Sequence, residues 1–168
     1  MYQRILVPVD GSLPSERALG EAIRLGQLTG ARLRLVYVVD GFSLSMVVAG
    51  AGGHTGALLE VLRNTGREVL KQGEARVKAA GLLVDSVLCN SFQSRIGDLV
   101  LAQANEWKAD LIALGSHGRR GVGLVQMGSD AESILRNATV PVLLLRVGKE
   151  AAPGLVSAAM RLAACPAD

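Results

Sequence analysis

The stretch Ile5-Leu6-Val7-Pro8-Val9-Asp10-Gly11-Ser12 decides how the rest of the chain is read. An unbroken apolar run, Ile5–Val9, ends in a polar turn. A run of this length, apolar at every position rather than at alternate ones, is the mark of a strand covered on both faces. Asp10-Gly11-Ser12 then makes a tight strand-to-helix turn. Ser12 is the expected N-cap, and Pro14 falls in the first helical turn. Ala18, Leu19, Ala22, Ile23 and Leu25 recur at helical spacing until Gly30 stops the helix. Leu33–Val39 is a second strand of the same continuous kind.

The unit repeats along the chain. Leu58–Ala80 has helical period with a charged face (Arg63, Arg67, Lys71, Glu74, Lys78) and ends at Gly81. A third strand is expected over Leu82–Leu88. A helix follows over Ile96–Trp107, with Ser94 as its cap and Asp98 in its early turns. Asp110–Gly115 reads as a fourth strand, Ser129–Ala138 as a short helix and Val140–Val147 as a fifth strand. Pro141 stands near the start of that last strand, where a missing N–H is tolerated at a sheet edge. Strands alternating with helices predict an α/β fold, an open parallel sheet with helices on both faces. Residues 1–148 form the expected domain. Residues 149–168 are a tail outside the pattern, in which Leu155–Ala164 can form a short amphipathic helix. Gly41–Gly56, which contains His54, reads as a mobile loop.

Composition narrows the function. The 168 residues are 49% apolar and 20% charged, the balance of a folded globular chain and not of a disordered one. Only 3% are aromatic (Tyr2, Tyr37, Phe42, Phe92 and Trp107), which leaves no stacking platform for single-stranded nucleic acid. A net charge of +3 without a basic run gives no nucleic-acid footprint either. No apolar run reaches the ~18 residues of a membrane span, and Pro8 and Asp10 interrupt the N-terminal run too early for a signal peptide. Cys89 and Cys165 are in no metal or redox spacing, so a reducing cytoplasm is the expected location. Cys89 reads as a small core residue.

Ligands of open α/β sheets bind outside the carboxyl ends of the strands, where the strand order reverses. Two strand ends here carry unusual loops. One is Pro8-Val9-Asp10-Gly11-Ser12; the other opens with Gly115-Ser116-His117-Gly118 and closes with Gly128-Ser129. Glycines at 115 and 118 let the backbone approach a ligand and adopt positive φ. Gly128-Ser129 opens a helix whose free N–H groups and dipole suit a phosphate. Together these features specify a triphosphate cradle that needs no lysine. Arg119 and Arg120 can fold over phosphates or form a solvated loop face.

These residues resemble the universal stress protein family over residues 2–147. Gly115, Gly118, Gly128 and Ser129 match its nucleotide-binding signature G-x2-G-x9-G-S. The opening Ile5–Ser12 and the ending Ala138-Thr139-Val140-Pro141-Val142-Leu143-Leu144-Leu145-Arg146 are typical of it as well. The resemblance implies a Rossmann-like five-stranded sheet of order 3-2-1-4-5 and ATP at the switch point. Asp10 is then expected on the ribose and adenine side with Pro8 and Val9 beside it, and the Val38 backbone at the adenine edge. Gly115, Ser116, His117, Gly118, Gly128 and Ser129 are expected around ribose and phosphates, with Asp130 and Ala131 next along the helix. The resemblance also implies a homodimer paired through the fifth strands, residues 140–147. The sequence departs from the family at Asp130-Ala131, where an apolar and then a small or hydroxylated residue are usual. A carboxylate ~4 Å from a phosphate is repulsive by ~1 kcal/mol even at water-like dielectric, unless Mg²⁺ bridges the two.

Other readings stand beside these. Ser129-Asp130-Ala131-Glu132 fits a capping box, with Ser129 as cap and Glu132 reaching back. Asp10 can simply organise the Gly11-Ser12 turn. Gly123–Ser129 imitates half a P-loop but lacks its lysine, and Gly50-Ala51-Gly52-Gly53 does not complete a dinucleotide fingerprint. His54 and His117 have no partner at metal-ligand spacing, and no nucleophile–base–orienter set emerges, so no catalytic residue is assigned. The functions in play are an ATP-binding, nucleotide-responsive dimeric stress-response module, a dimeric interaction protein without nucleotide, and a low-turnover ATPase.

Overall fold

The computed structural model describes residues 1–40, 55–91, 94–116 and 127–146. The expectations for His54, His117, Gly118, Arg119, Arg120, Cys165 and the tail 149–168 lie outside these residues.

The elements follow the predicted alternation: β1 (Arg4–Pro8), α1 (Leu13–Thr29), β2 (Arg32–Val39), α2 (Thr55–Ala79), β3 (Val84–Asn90), α3 (Ile96–Trp107), β4 (Leu111–Gly115), α4 (Ser129–Asn137) and β5 (Val142–Leu145). The five strands form one sheet in the order β3-β2-β1-β4-β5, and every pairing is parallel. The continuous apolar strands are explained by alternation inside them. In β1, Ile5 and Val7 face one core with Leu33, Leu35 and Tyr37 of β2, under Leu19 and Ala22 of α1 and Leu70 and Val77 of α2. Leu6 faces the other, with Val36, Ile112 and Leu114, under Val100 and Trp107 of α3 and Ile134 of α4. Helices therefore cover both faces, and a strand at the centre must be apolar throughout.

Helix ends follow the sequence signals with three exceptions, of which one is α2: it starts at Thr55, three residues before the expected Leu58 and inside the stretch read as a loop. Ser12 caps α1 by accepting the Ser15 N–H, and Gly30 closes it at φ 72° with its N–H on the Gly26 carbonyl. Ser94 is not the cap of α3: that position is Arg95, whose side chain makes no capping bond. The chain enters α3 one residue later than the hydroxyl would require. Nor does Ser129 cap α4; Gly128 holds that position and Ser129 is the first helical residue. Glu132 does not reach back but accepts from Arg136 Nη2 one turn on at 2.7 Å, so the capping box is absent.

Strand bounds shift similarly. Leu82 is still tied to the end of α2 through the Val77 carbonyl, so β3 begins at Val84. β5 is shorter than expected, but the Pro141 carbonyl already accepts the Ile112 N–H at 3.0 Å. Cys89 is half-buried rather than a core residue, and packs at the margin of the α3–α4 side.

Two helical glycines separate propensity from packing. A Cβ on Gly20 in α1 would meet only Arg76 Nη2 at 4.0 Å, whereas one on Gly66 in α2 would stand 2.7 Å from the ring of buried Tyr37 and from Leu88 Cδ1. Gly20→Ala is therefore expected to stabilise the protein by about 0.5–1 kcal/mol. Gly66→Ala has the same backbone gain but overpacks the core, at a cost of about 1–3 kcal/mol. Urea unfolding of the two variants checks this; a gain in stability in Gly66→Ala would refute the packing argument.

Candidate functional site

The site is built where β1 and β4 lie side by side, with Ile5 opposite Leu111 and Leu6 opposite Ile112. β1 is flanked by β2 on one side and β4 on the other, the reversal of strand order beside which open α/β sheets bind their ligands. Val9 continues the ladder beyond β1 by donating to the Val36 carbonyl at 2.9 Å. The chain then turns. Asp10 Oδ1 accepts the Ser12 N–H at 2.9 Å, and Gly11 adopts φ 79°. Asp10 thus does organise its turn, and it stays half-buried at the strand end.

On the β4 side, buried Ser116 donates its N–H to the Leu145 carbonyl at 2.8 Å, and its carbonyl accepts the Gly128 N–H at 2.9 Å. This bond joins the two ends of the glycine signature, bringing Gly115 and Ser116 to Gly128 and Ser129. Gly128 is the N-cap of α4 at φ −65° and ψ 143°, with no side-chain cap on the helix. The helix start therefore presents backbone amides and the positive end of a dipole. Ser129 is exposed, and Asp130 is half-buried in the first turn. Ala131 is 5% exposed and turns into the α3–α4 core, so it can contribute backbone only.

Gly115 is a glycine for a reason the motif did not disclose. Its φ is not positive, contrary to expectation; a Cβ there would stand 2.7 Å from the Pro14 carbonyl carbon and Cβ and 2.9 Å from the Pro14 oxygen. The end of β4 is pressed against the first turn of α1, so the two loops share a wall. Val38, half-buried near the end of β2, pairs with Cys89 of β3. Burial, and secondarily the Glu106 carboxylate, pushes the Cys89 thiol up, which keeps it a poor nucleophile. No cluster of three or more metal-ligating side chains occurs among the described residues. Sequence reading gave Pro14 only a helix-starting role and passed over Ser15; both are buried in the first turn of α1, and the local signal for Ser15 was a second serine three residues after the cap.

Because two of the three atoms facing Gly115 are backbone and the third is the Cβ of a proline ring, Gly115→Ala is expected to displace the start of α1 at a cost of about 1–3 kcal/mol. Denaturant unfolding measures the loss. Unchanged stability would mean that the contact is not tight.

The comparisons agree with this fold. A universal stress protein MJ0531 of Methanocaldococcus jannaschii is 29% identical over 150 residues, covering 89% of this chain and 85% of that protein. The solved structure of hypothetical protein MJ0577 superposes with a TM-score of 0.76 at 21% identity, covering 89% of this chain and 99% of that one. Two further universal stress protein structures share the fold. One, in complex with cAMP, has TM-score 0.59 at 23% identity and covers 86% of this chain and 97% of its own. The other, from Archaeoglobus fulgidus in complex with dAMP, has TM-score 0.60 at 21% identity and covers 86% and 98%. The model of the universal stress protein family matches residues 1–146, nearly the whole of the described sheet and its helices, and the chain belongs to that family.

Proposed function

We propose that the chain binds ATP at the crevice between β1 and β4 and acts as a nucleotide-responsive dimeric module in the cytoplasm. The observation that carries this reading is the joining of Gly115-Ser116 to Gly128-Ser129 at a helix start without a side-chain cap. A phosphate at such a start is held by backbone N–H groups and the helix dipole, with no lysine needed. The Asp10 turn stands at the neighbouring strand end, and in this reading its carboxylate meets ribose hydroxyls. The adenine nucleotides in two structural relatives support the ligand class. Mg²⁺ fits as a companion of the triphosphate: it keeps most of its waters and takes one or two carboxylates besides phosphate oxygens. Asp130, in the first turn of α4, is the carboxylate proposed to meet it. The ion would offset the charge of the phosphates.

Nucleotide released from freshly purified protein, followed by calorimetric titration with ATP, tests the reading. Gly118→Val adds bulk within the signature and is expected to weaken ATP at least tenfold, about 1.4 kcal/mol, with the far-UV spectrum intact. Unchanged affinity would defeat the glycine cradle. No nucleotide and no binding would favour the interaction-protein reading, and phosphate release with Mg²⁺ the low-turnover ATPase.

The dimer is proposed through β5. This four-residue strand is the edge of the sheet beside β4, and Val142–Leu145 are all half-buried. Pro141 and Leu145 direct their carbonyls to β4, so the alternate residues, Leu144 among them, turn their backbone groups to the open edge. An apolar edge of this kind is a pairing surface, and a two-fold contact closes on itself. Leu144→Lys is expected to convert a dimer to monomers in sizing with light scattering while circular dichroism is retained. A folded dimer that persists would overturn this interface.

A further inference from the structure

Ser15 lies in the first turn of α1 and is 5% exposed. Its Oγ donates to the Ser12 carbonyl at 3.0 Å and accepts the Asp10 N–H at 3.4 Å. Its own N–H donates to Ser12 Oγ at 3.4 Å, while the Ser12 N–H donates to Asp10 Oδ1 at 2.9 Å. One buried hydroxyl therefore ties the backbone of residue 10 to that of residue 12, across a glycine in the left-handed region. A serine inside a helix usually bonds back to its own preceding turn. This one does so at the Ser12 carbonyl and also reaches past the helix start, accepting the Asp10 N–H of the loop that carries the acid.

We infer that Ser15 is a positioning residue for the nucleotide site. Its hydroxyl fixes the Asp10 backbone and, through the Ser12 amide, the direction of the Asp10 carboxylate. The inference rests on the nucleotide reading above, because it gives that carboxylate a ribose to meet. Without the hydroxyl, Asp10-Gly11-Ser12 keeps a glycine at its centre and loses the bridge across it. A ligand would then have to order the turn as it bound, and ordering is paid from affinity. Methyl in place of hydroxymethyl also leaves the part-buried Asp10 N–H without this acceptor.

The test compares the full-length wild type with Ser15→Ala, Ser15→Thr, Asp10→Ala and the Asp10→Ala/Ser15→Ala double variant, with two readouts. In ATP titration, Ser15→Ala is expected to weaken binding about three- to tenfold, the effect of one hydrogen bond. Ser15→Thr, which keeps the hydroxyl, is expected to restore it. In the Asp10→Ala background the serine change should have no further effect, since its target is gone. An equal loss in both backgrounds would show a merely structural role and overturn the inference. The second readout needs no nucleotide. Amide exchange at Ser12 should speed up about tenfold in Ser15→Ala, while Ile5 and Leu6 in β1 stay protected. Unchanged exchange at Ser12 overturns the positioning role. Faster exchange in a protein that binds no ATP retains it and overturns the nucleotide reading alone. Should Ser15→Ala fail to fold, Ser15→Cys, of similar shape and weaker hydrogen bonding, carries the same comparisons.

Discussion

β1 can hold its place only by being dry on both faces. Ile5, Leu6 and Val7 are fully buried, and parallel strands pair with it on either side. No polar side chain could stand at those three positions without leaving an unpaired group in one of the two cores. Everything else is arranged around that requirement: α1 and α2 close over Ile5 and Val7, and α3 and α4 over Leu6. A strand so enclosed can carry chemistry only at its ends. The carboxyl end, where its neighbours diverge, is where the chain spends Asp10, Gly11 and Ser12.

That end is tied to the end of β4 through the first turn of α1. Gly115 admits Pro14 at a distance no Cβ would allow, and Ser116 is bonded to β5 through its N–H and to the start of α4 through its carbonyl. A movement of α4 would therefore be felt at β5, the strand proposed to pair with a second copy. The short path Gly128–Ser116–Leu145 is made of backbone hydrogen bonds, which have little slack. It would connect the proposed nucleotide site with the proposed dimer surface.

The order of elements was legible in the sequence because each buried strand is apolar at every position and each helix is not. The caps at Ser12 and Gly30 were legible because hydroxyl and glycine each do one local job there. Ser94 and Ser129 carried the same signal and misled. Whether a hydroxyl caps a helix depends on the angle at which the chain arrives, and Arg95 and Gly128 show that tertiary packing sets that angle. The glycine signature marked the right place but gave an incomplete reason: Gly115 is small because Pro14 stands against it, a contact between residues about a hundred positions apart. Ser15 was invisible for a related cause. Nothing in a helical pattern tells a serine that bonds its own turn from one that reaches back into a loop.

The two ends of the sheet are finished in different ways, and the difference argues for which of them is a site. At the amino end, charges are consumed by one another. Asp85 takes a two-point contact from Arg34 at 2.6 and 3.1 Å and a third bond from Arg32. Both guanidinium groups lie over the Trp107 ring, at 5.0 and 5.7 Å from its centre, a placement that adds cation–π attraction. Asp110 accepts the backbone N–H groups of Gln3 and Arg4, and Arg4 in turn holds the Trp107 carbonyl. These contacts tie β1, β2, β3 and the end of α3 together with side chains. At the carboxyl end, backbone hydrogen bonds tie β4, β5 and α4, and the start of α4 has no side-chain cap. A helix start of that kind suits an anion, which is why the proposed site is set at this end and not at the other.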